Sequence, residues 1–411
     1  MFEVISVDKA REKILQYLNK KKIEKVYFSE ALGRVTAENI YSPMNLPPFS
    51  RSTVDGYAVR SSDTIGASES LPALLNLKGI IEMGKSSDIA INSEEAMGIS
   101  TGGMLPENAD AVVMMENTDS FDDGSILINE SVASGENVIW EGEDIKSKEL
   151  VLKKDHVIRE QDIGALSALG ILEIFVYKKP TVGIISTGDE LVSPEEELTP
   201  GKIRDINSWA IKACVEKAQA IPKFYGIIQD EQDEFYETLT RSQIECDLVI
   251  ISGGSSVGTR DLAAKTINDL GEPGVIFHGV SVKPGKPTIF GLAQDTPIFG
   301  LSGNPVSALV TFDLFVRPAI RRLLGLKPYD ESEQVSARIT RNLSSKGGRE
   351  DYIRVSLTRK NDGTLEAEPI LGESGLIFTL VEADGIIRIP QNTEGITAGE
   401  SVQVFKRGVI K

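Results

Sequence analysis

The sequence is nearly devoid of cysteine and histidine: Cys214, Cys246, His156 and His278 are all it has. Two thiols in 411 residues make no disulfide framework and fit a reducing compartment. No His/Cys group has zinc spacing, so any bound metal is expected to be a hard cation held by carboxylates. No apolar run approaches the roughly 18 residues that span a bilayer, and "MFEVISVDKAREK" has no signal-peptide pattern. A cytoplasmic protein without membrane contact is expected. Basic charge is also short: 44 Lys+Arg against 61 Asp+Glu give a formal net charge of −17. That excludes a general nucleic-acid binder, which needs a basic footprint. An anionic small molecule is not excluded. A cation at ~4 Å is worth about 4 kcal/mol at an effective dielectric near 20, while charge beyond roughly 8 Å is screened.

What is present is the composition of a soluble globular chain, 41% hydrophobic and 26% charged, long enough for about two to four domains. "SVDKAREKILQYLNKKK" puts Val7, Ala10, Ile14 and Leu18 on one helical face, with Ser6 placed to cap. "SEALGRVTAENI" predicts a second short helix from Ser29. "YSPMNLPPF" is an extended connector. Residues 50–140 carry short apolar runs between Gly, Asn and Asp turns and read as a β-rich domain. Residues 141–179 return to charged, partly helical sequence and, with 1–49, form a discontinuous domain.

From residue 180 to 327 strands alternate with helices: "TVGIIS", "NSWAIKACVEKAQA", "KFYGIIQD", "DEFYETLTRSQI", "DLVIIS", "DLAAKTINDL", "TPIFGLS" and "PVSALVTFDLFVRPAIRRLLG". The alternation predicts a mostly parallel sheet covered on both faces. Residues 328–411 alternate at period two and predict a small β-barrel or sandwich. The fold class is α/β plus β, multidomain.

In an open parallel sheet, ligands bind beyond the carboxyl ends of the strands. Three loops sit there. "IISTGDEL" supplies Thr187, Gly188 and Glu190. "IISGGSSVGTRD" supplies Gly253, Gly254, Ser255, Gly258 and Asp261. "GLSGNPVSA" supplies Ser302, Gly303, Asn304, Pro305 and Ser307, with Asn304 able to cap and Pro305 at the first helical position. Any one glycine-rich loop reads as a tight turn; three in one sheet point to a site where backbone N–H groups meet an oxyanion. Asp261 either binds a cation or caps the helix that follows. "VKPGKPT" sets Lys283 and Lys286 about a Pro-Gly turn, either a solvated surface turn or two ammonium groups for one anion. With Glu190, Asp230 and Asp261 at neighbouring strand ends, the set suggests an anion plus Mg²⁺, which phosphoanhydride chemistry requires. Asp55-Gly56, Thr101-Gly102-Gly103 and the acidic run around Asp144 read singly as turns. Neither cysteine lies in a site motif and no Ser-His-Asp arrangement is visible, so positioning and charge stabilisation are expected to carry the chemistry.

Together, "STVDGYAVR", "ISTGGMLPENADAVV", "EGEDI", "STGDEL", "SGGSSVGTRD", "VKPGKP" and "GLSGNPVSA" stand in the order found in molybdopterin molybdenumtransferases. The chain resembles this MoeA family, to which the E domain of gephyrin is related, over essentially its whole length. The resemblance implies four domains: an elongated discontinuous one, a β-rich one, a doubly wound molybdopterin-binding α/β one and a C-terminal small β-barrel. It implies a homodimer with its active site between the α/β domain of one subunit and the β-rich domain of the other. Adenylylated molybdopterin and molybdate are the implied substrates, with Mg²⁺-dependent release of AMP, and the adenylylating protein is an implied partner. Carried over by motif, Glu190, Asp230 and Asp261 are the metal-side carboxylates, and Lys283 and Lys286 the anion-binding pair. Asp55, Thr101 and Asp144 are the residues lent by the partner subunit. Arg51, Ser255, Arg260 and Ser302 depart from common family residues. These departures leave molybdate and tungstate both open. A non-enzymatic gephyrin-like scaffold and the preceding adenylylation step are the competing readings.

Overall fold

Alternation along each central strand decides the architecture of the α/β region. In Thr181–Thr187 and Leu248–Gly253, Val182, Ile184, Leu248 and Ile250 face one side, where they meet Ile211 and Val215 of the helix Asn207–Lys217 and the helical run from Pro305. Ile185, Val249 and Ile251 face the other, against Phe235 and Leu239 of Gln232–Glu245 and Ala263, Ala264 and Ile267 of Val257–Asp269. Burying both faces explains why these strands are apolar throughout rather than alternating. The structure, a computed structural model, describes residues 4–18, 21–86, 89–229, 231–253, 257–329 and 334–407, with side chains of 257–260 outside that description.

The six strands lie in the order Ile221–Ile228, Thr181–Thr187, Leu248–Gly253, Thr296–Leu301, Ile289–Ala293 and Pro273–His278. The first four are parallel, as expected. The last two are antiparallel; the sequence reading expected a mostly parallel sheet and named no strand between residues 273 and 293, only the lysine turn. Their glycines, including Gly274 and Gly291, broke the apolar pattern that marks a strand.

The chain divides into two compact units, residues 1–24 with 177–411, and residues 25–176. In the first, the amino-terminal helix Val7–Tyr17 is capped by Ser6, whose side chain accepts from Lys9 N, and buries Val7, Ala10 and Ile14 in the α/β core. The helix begun at Pro305 passes through a π-helical turn at Phe312–Val316 before continuing as Arg317–Leu323. Beyond it, Glu350–Arg359, Leu365–Ile370, Gln334–Ile339, Ser401–Lys406 and Gly385–Ile389 pair in a ring that closes on itself, a five-stranded barrel.

The second unit is built on a mixed six-stranded sheet in the order 111–114, 56–59, 95–99, 73–81, 125–128, 118–120. Its faces bury two apolar clusters, one holding Ala58, Met97 and Val112, the other Val59, Leu75 and Val113. The helix predicted from Ser29 does not form. Only a 3-10 turn, Phe28–Glu30, is present. Gly33 then adopts φ 73°, and Val35 and Thr36 pair with Val157 and Val176. β-Branched residues after a left-handed glycine favour extended pairing over a helix.

Candidate active site

Register places the strand ends side by side. Thr187 lies opposite Ile228 on one neighbour and Gly253 on the other, and Ser252 lies opposite Leu301. At about 4.8 Å per strand, the residues that follow open along one short line. From Thr181–Thr187 the chain first adds Ile221–Ile228 on one side, then crosses to Leu248–Gly253 on the other. Strand order therefore reverses between Thr187 and Gly253, where a crevice forms in a doubly wound sheet.

Two glycines make that crevice. Gly253 has φ +150°, and a Cβ there would overlap the carbonyl and hydroxyl oxygens of Thr187. A Cβ on Gly188, at φ +148°, would lie 2.8 Å from Glu190 Oε2. The Glu190 carboxylate therefore sits over the strand end only because residue 188 has no side chain. Backbone fixes it: Leu191 N donates to Gly188 O at 3.1 Å and Ile203 N to Glu190 O at 2.8 Å. Glu190 itself is exposed, as is Asp261. Asp261 lies inside the helix Val257–Asp269, so of its two sequence readings capping is excluded. Asp230, Gly254 and Ser255 lie outside the described residues, and Gly258 enters only as part of that helix.

The lysine loop joins the same place. A small hollow below the crevice is lined by Thr187, Ile251, Gly253, Pro287 and Leu301, so the residue next to Lys286 touches the strand tips. Val280 N bonds Lys286 O at 2.9 Å, and Thr288 Oγ1 bonds Gly285 O at 2.7 Å, pinning the turn. Lys283 and Lys286 are exposed and have no ion-pair partner among the described residues. On a chain of net charge −17, two such cations on one turn are a local excess of positive charge.

The third loop differs in detail from the sequence reading. Pro305 is the first helical residue, as expected, and Asn304 occupies the cap position without a side-chain cap bond. Its Nδ2 instead donates to Ser374 Oγ of the barrel region at 3.1 Å. Ser302 Oγ accepts from Asn304 N at 3.3 Å, Gly303 is partly buried, and Ser307 is buried in the first helical turn. The barrel contributes further. Arg354, 6% exposed, donates to Gly372 O at 2.8 Å and has no carboxylate partner among the described residues. Burial lowers its pKa. It holds the 370–374 loop against Asn304. Neither Ser374 nor Arg354 was legible in the sequence, since period-two alternation says nothing of which barrel loop meets which sheet tip.

In the other unit, Asp55 and Thr101 meet. Asp55 Oδ1 accepts from Thr101 N at 2.7 Å and Thr101 Oγ1 at 3.2 Å. Gly56 is no hairpin-turn glycine. It starts the strand Gly56–Val59, and a Cβ would overlap Val113 O. Asp144 is exposed on a separate turn, where its N donates to Leu46 O at 3.0 Å. Its carboxylate shares no hydrogen-bond partner with Asp55. Glu143 closes that turn by accepting from Trp140 N at 2.7 Å. Arg51 pairs in a two-residue strand with Ile139.

Family models cover nearly the whole chain. "MoeA N-terminal region (domain I and II)" matches residues 5–170, "Probable molybdopterin binding domain" residues 183–322, and "MoeA C-terminal region (domain IV)" residues 336–406. The molybdopterin molybdenumtransferase of Haemophilus influenzae is 35% identical over 98% of this chain and 98% of that one. The molybdopterin molybdenumtransferase of Bacillus subtilis is 33% identical over 98% and 94%. Solved molybdopterin biosynthesis MoeA proteins of Pyrococcus horikoshii superpose with TM-scores of 0.88 and 0.76 at 37% and 32% identity, each over 98% of this chain and 99% of that one.

Proposed function

The chain belongs to the MoeA family of molybdopterin molybdenumtransferases, transferases of molybdenum cofactor biosynthesis, and from that premise we propose that it inserts molybdate into adenylylated molybdopterin and releases AMP. The observation that carries this reading is the convergence of the loops: Thr187, Gly253, Leu301 and the lysine-loop residue Pro287 border one small hollow, with core residues such as Phe235 and Ile289 beneath, where strand order reverses. The loops that follow Thr187 and Gly253 receive the phosphate oxygens, and Lys283 and Lys286 offset their charge. Asp55, Thr101 and Asp144 come from the second subunit of a homodimer, where they orient or repel the oxyanion.

The carboxylates suit Mg²⁺. Mg²⁺ takes one or two carboxylates together with substrate phosphates, and Glu190 and Asp261 are exposed oxygen donors, one in the loop after Thr181–Thr187 and one in the helix after Leu248–Gly253. Those two residues, with Asp230, would hold it. When bound, it polarises the phosphoanhydride. This chain's own residues position the nucleotide and stabilise charge; none acts as a covalent nucleophile. Tungstate insertion by the same chemistry is the second reading, and the adenylylating protein is the proposed supplier of the pterin nucleotide in the cytoplasm.

Single-turnover AMP release from adenylylated molybdopterin with molybdate and Mg²⁺ tests the reading. Asp261→Asn and Lys286→Ala are expected to slow it at least tenfold; normal rates in both would remove the site assignment. Turnover of ATP with unmodified molybdopterin would instead place the chain at the adenylylation step. Mixing Asp55→Ala and Asp261→Asn subunits is expected to restore one working cleft per dimer. Absence of recovery would sink the shared site.

A further inference from the structure

Buried polar atoms without partners mark where a fold is waiting for something, because each one costs about 1–3 kcal/mol if left dry. Three such atoms are Thr187 Oγ1, at the end of the strand Thr181–Thr187, and Asp205 Oδ2 and Asn207 Oδ1, at the approach to and start of the helix Asn207–Lys217. Among them Asn207 stands apart, since its other end is fully used. Nδ2 donates to Ser252 Oγ at 2.9 Å and to Gly303 O at 2.9 Å, with Ser302 O at 3.4 Å. Those contacts also settle the amide's orientation, because a carbonyl oxygen can accept only from the NH₂ group. One planar group, 8% exposed, thus ties the last turn of the strand Leu248–Gly253 to the loop after Thr296–Leu301. The helix Asn207–Lys217 that carries it is itself anchored, with Ser208 N bonded to Asp205 Oδ1 at 3.1 Å and Ser208 Oγ to Ser186 Oγ at 2.6 Å.

We propose that Asn207 is a positioning residue of the site: its NH₂ group holds the Ser252 and Gly303 loops in mutual register for the ligand that both loops grip. The inference rests on the functional reading above, in which both loops grip a pterin nucleotide. Two loops that must grip one ligand gain affinity when their spacing is set beforehand, since ordering is then not charged to binding.

The test compares KM and kcat for AMP release, with adenylylated molybdopterin as substrate, in wild type, Asn207→Ala, Ser252→Ala and the double variant. Asn207→Ala is expected to raise KM about tenfold with kcat changed less than threefold, and the double variant to be no worse than Asn207→Ala. A KM rise without a matching loss of kcat is the readout a general loss of stability would not produce, and non-additivity shows that Asn207 and Ser252 act through one contact. If Asn207→Ala does not fold, Asn207→Asp keeps the shape but cannot donate to Gly303 O, and the same KM rise is expected. KM unchanged in the folded variant, or effects that multiply in the double variant, would overturn the proposal. A wild type that releases no AMP removes the reading beneath it; a wild type that does, matched by Asn207→Ala, removes this inference alone.

Discussion

Asn304 Nδ2 donates to Ser374 Oγ at 3.1 Å, so a loop of the barrel region is bonded directly to a loop of the parallel sheet. Val306 N adds a second bond to Ser374 O, also at 3.1 Å. The barrel is therefore part of the wall of the candidate site. Ser374→Ala is expected to raise KM for the pterin nucleotide about three- to tenfold, the range of one net hydrogen bond. Steady-state kinetics with thermal unfolding as a control check it; an unchanged KM would make the contact incidental.

Gly253→Ala should be among the most damaging single-atom additions in the chain. The backbone sits at φ +150°, and the new Cβ would overlap both Thr187 oxygens. Relief requires the two central strands to separate at their carboxyl ends, which opens the crevice. Turnover is expected to fall more than a hundredfold, with a lower melting temperature, whereas Gly347→Ala, whose Cβ would meet nothing within 4 Å, is expected to change neither.

Lys283 and Lys286 are exposed cations, so their contribution should respond to ionic strength. Raising salt from 0.05 to 0.5 M, roughly a threefold shortening of the screening length, is expected to weaken wild-type substrate binding. The Lys283→Ala/Lys286→Ala double variant is expected to show weak binding with little salt dependence left. Equal salt slopes would remove both lysines from the anion site.

Thr101→Val deletes the 3.2 Å hydroxyl bond to Asp55 but keeps the 2.7 Å backbone one. Asp55 should remain placed, and activity is expected to fall only a few-fold. Asp55→Ala removes the carboxylate and is expected to cost at least a hundredfold. The reverse ranking in AMP-release assays would mean that the threonine hydroxyl, rather than the carboxylate, meets substrate.

Acid stability has a separate origin. Burial works against ionised Asp162, but His156 Nε2 at 2.6 Å, Arg159 N at 2.8 Å and Arg159 Nε at 3.0 Å overcome it and hold the carboxyl far below its usual range. A folded value below the unfolded one of about 3.9 stabilises the protein fully above that pH and loses its effect as pH falls towards the folded value. Asp162→Asn is expected to lower the urea midpoint at pH 7, and the gap from wild type to close below about pH 4. A gap independent of pH would show that the carboxylate's charge is not the cause.

Much of the fold was written in local pattern. Ser6 capping the first helix, the βα alternation from 180 to 327 and the period-two strands of the barrel are all short-range consequences of side-chain order. The residues 29–40 misled because their helical spacing was real, yet pairing with Val157 and Val176, more than a hundred residues away, won over propensity. The antiparallel edge strands were hidden by the glycines that let them pack closely.

By itself, then, the sequence determined the local make-up of the loops: glycines after strands, two lysines about one turn, and carboxylates beyond the strand ends. These are requirements of the single residue and its immediate neighbours. Only the tertiary structure decided that Thr187 and Gly253 face one another across a reversal of strand order, and that Asn207 and Ser374 reach into the loops beside them. Partners distant in sequence are chosen by long-range packing, whose energy depends on shape and burial that no local spacing records.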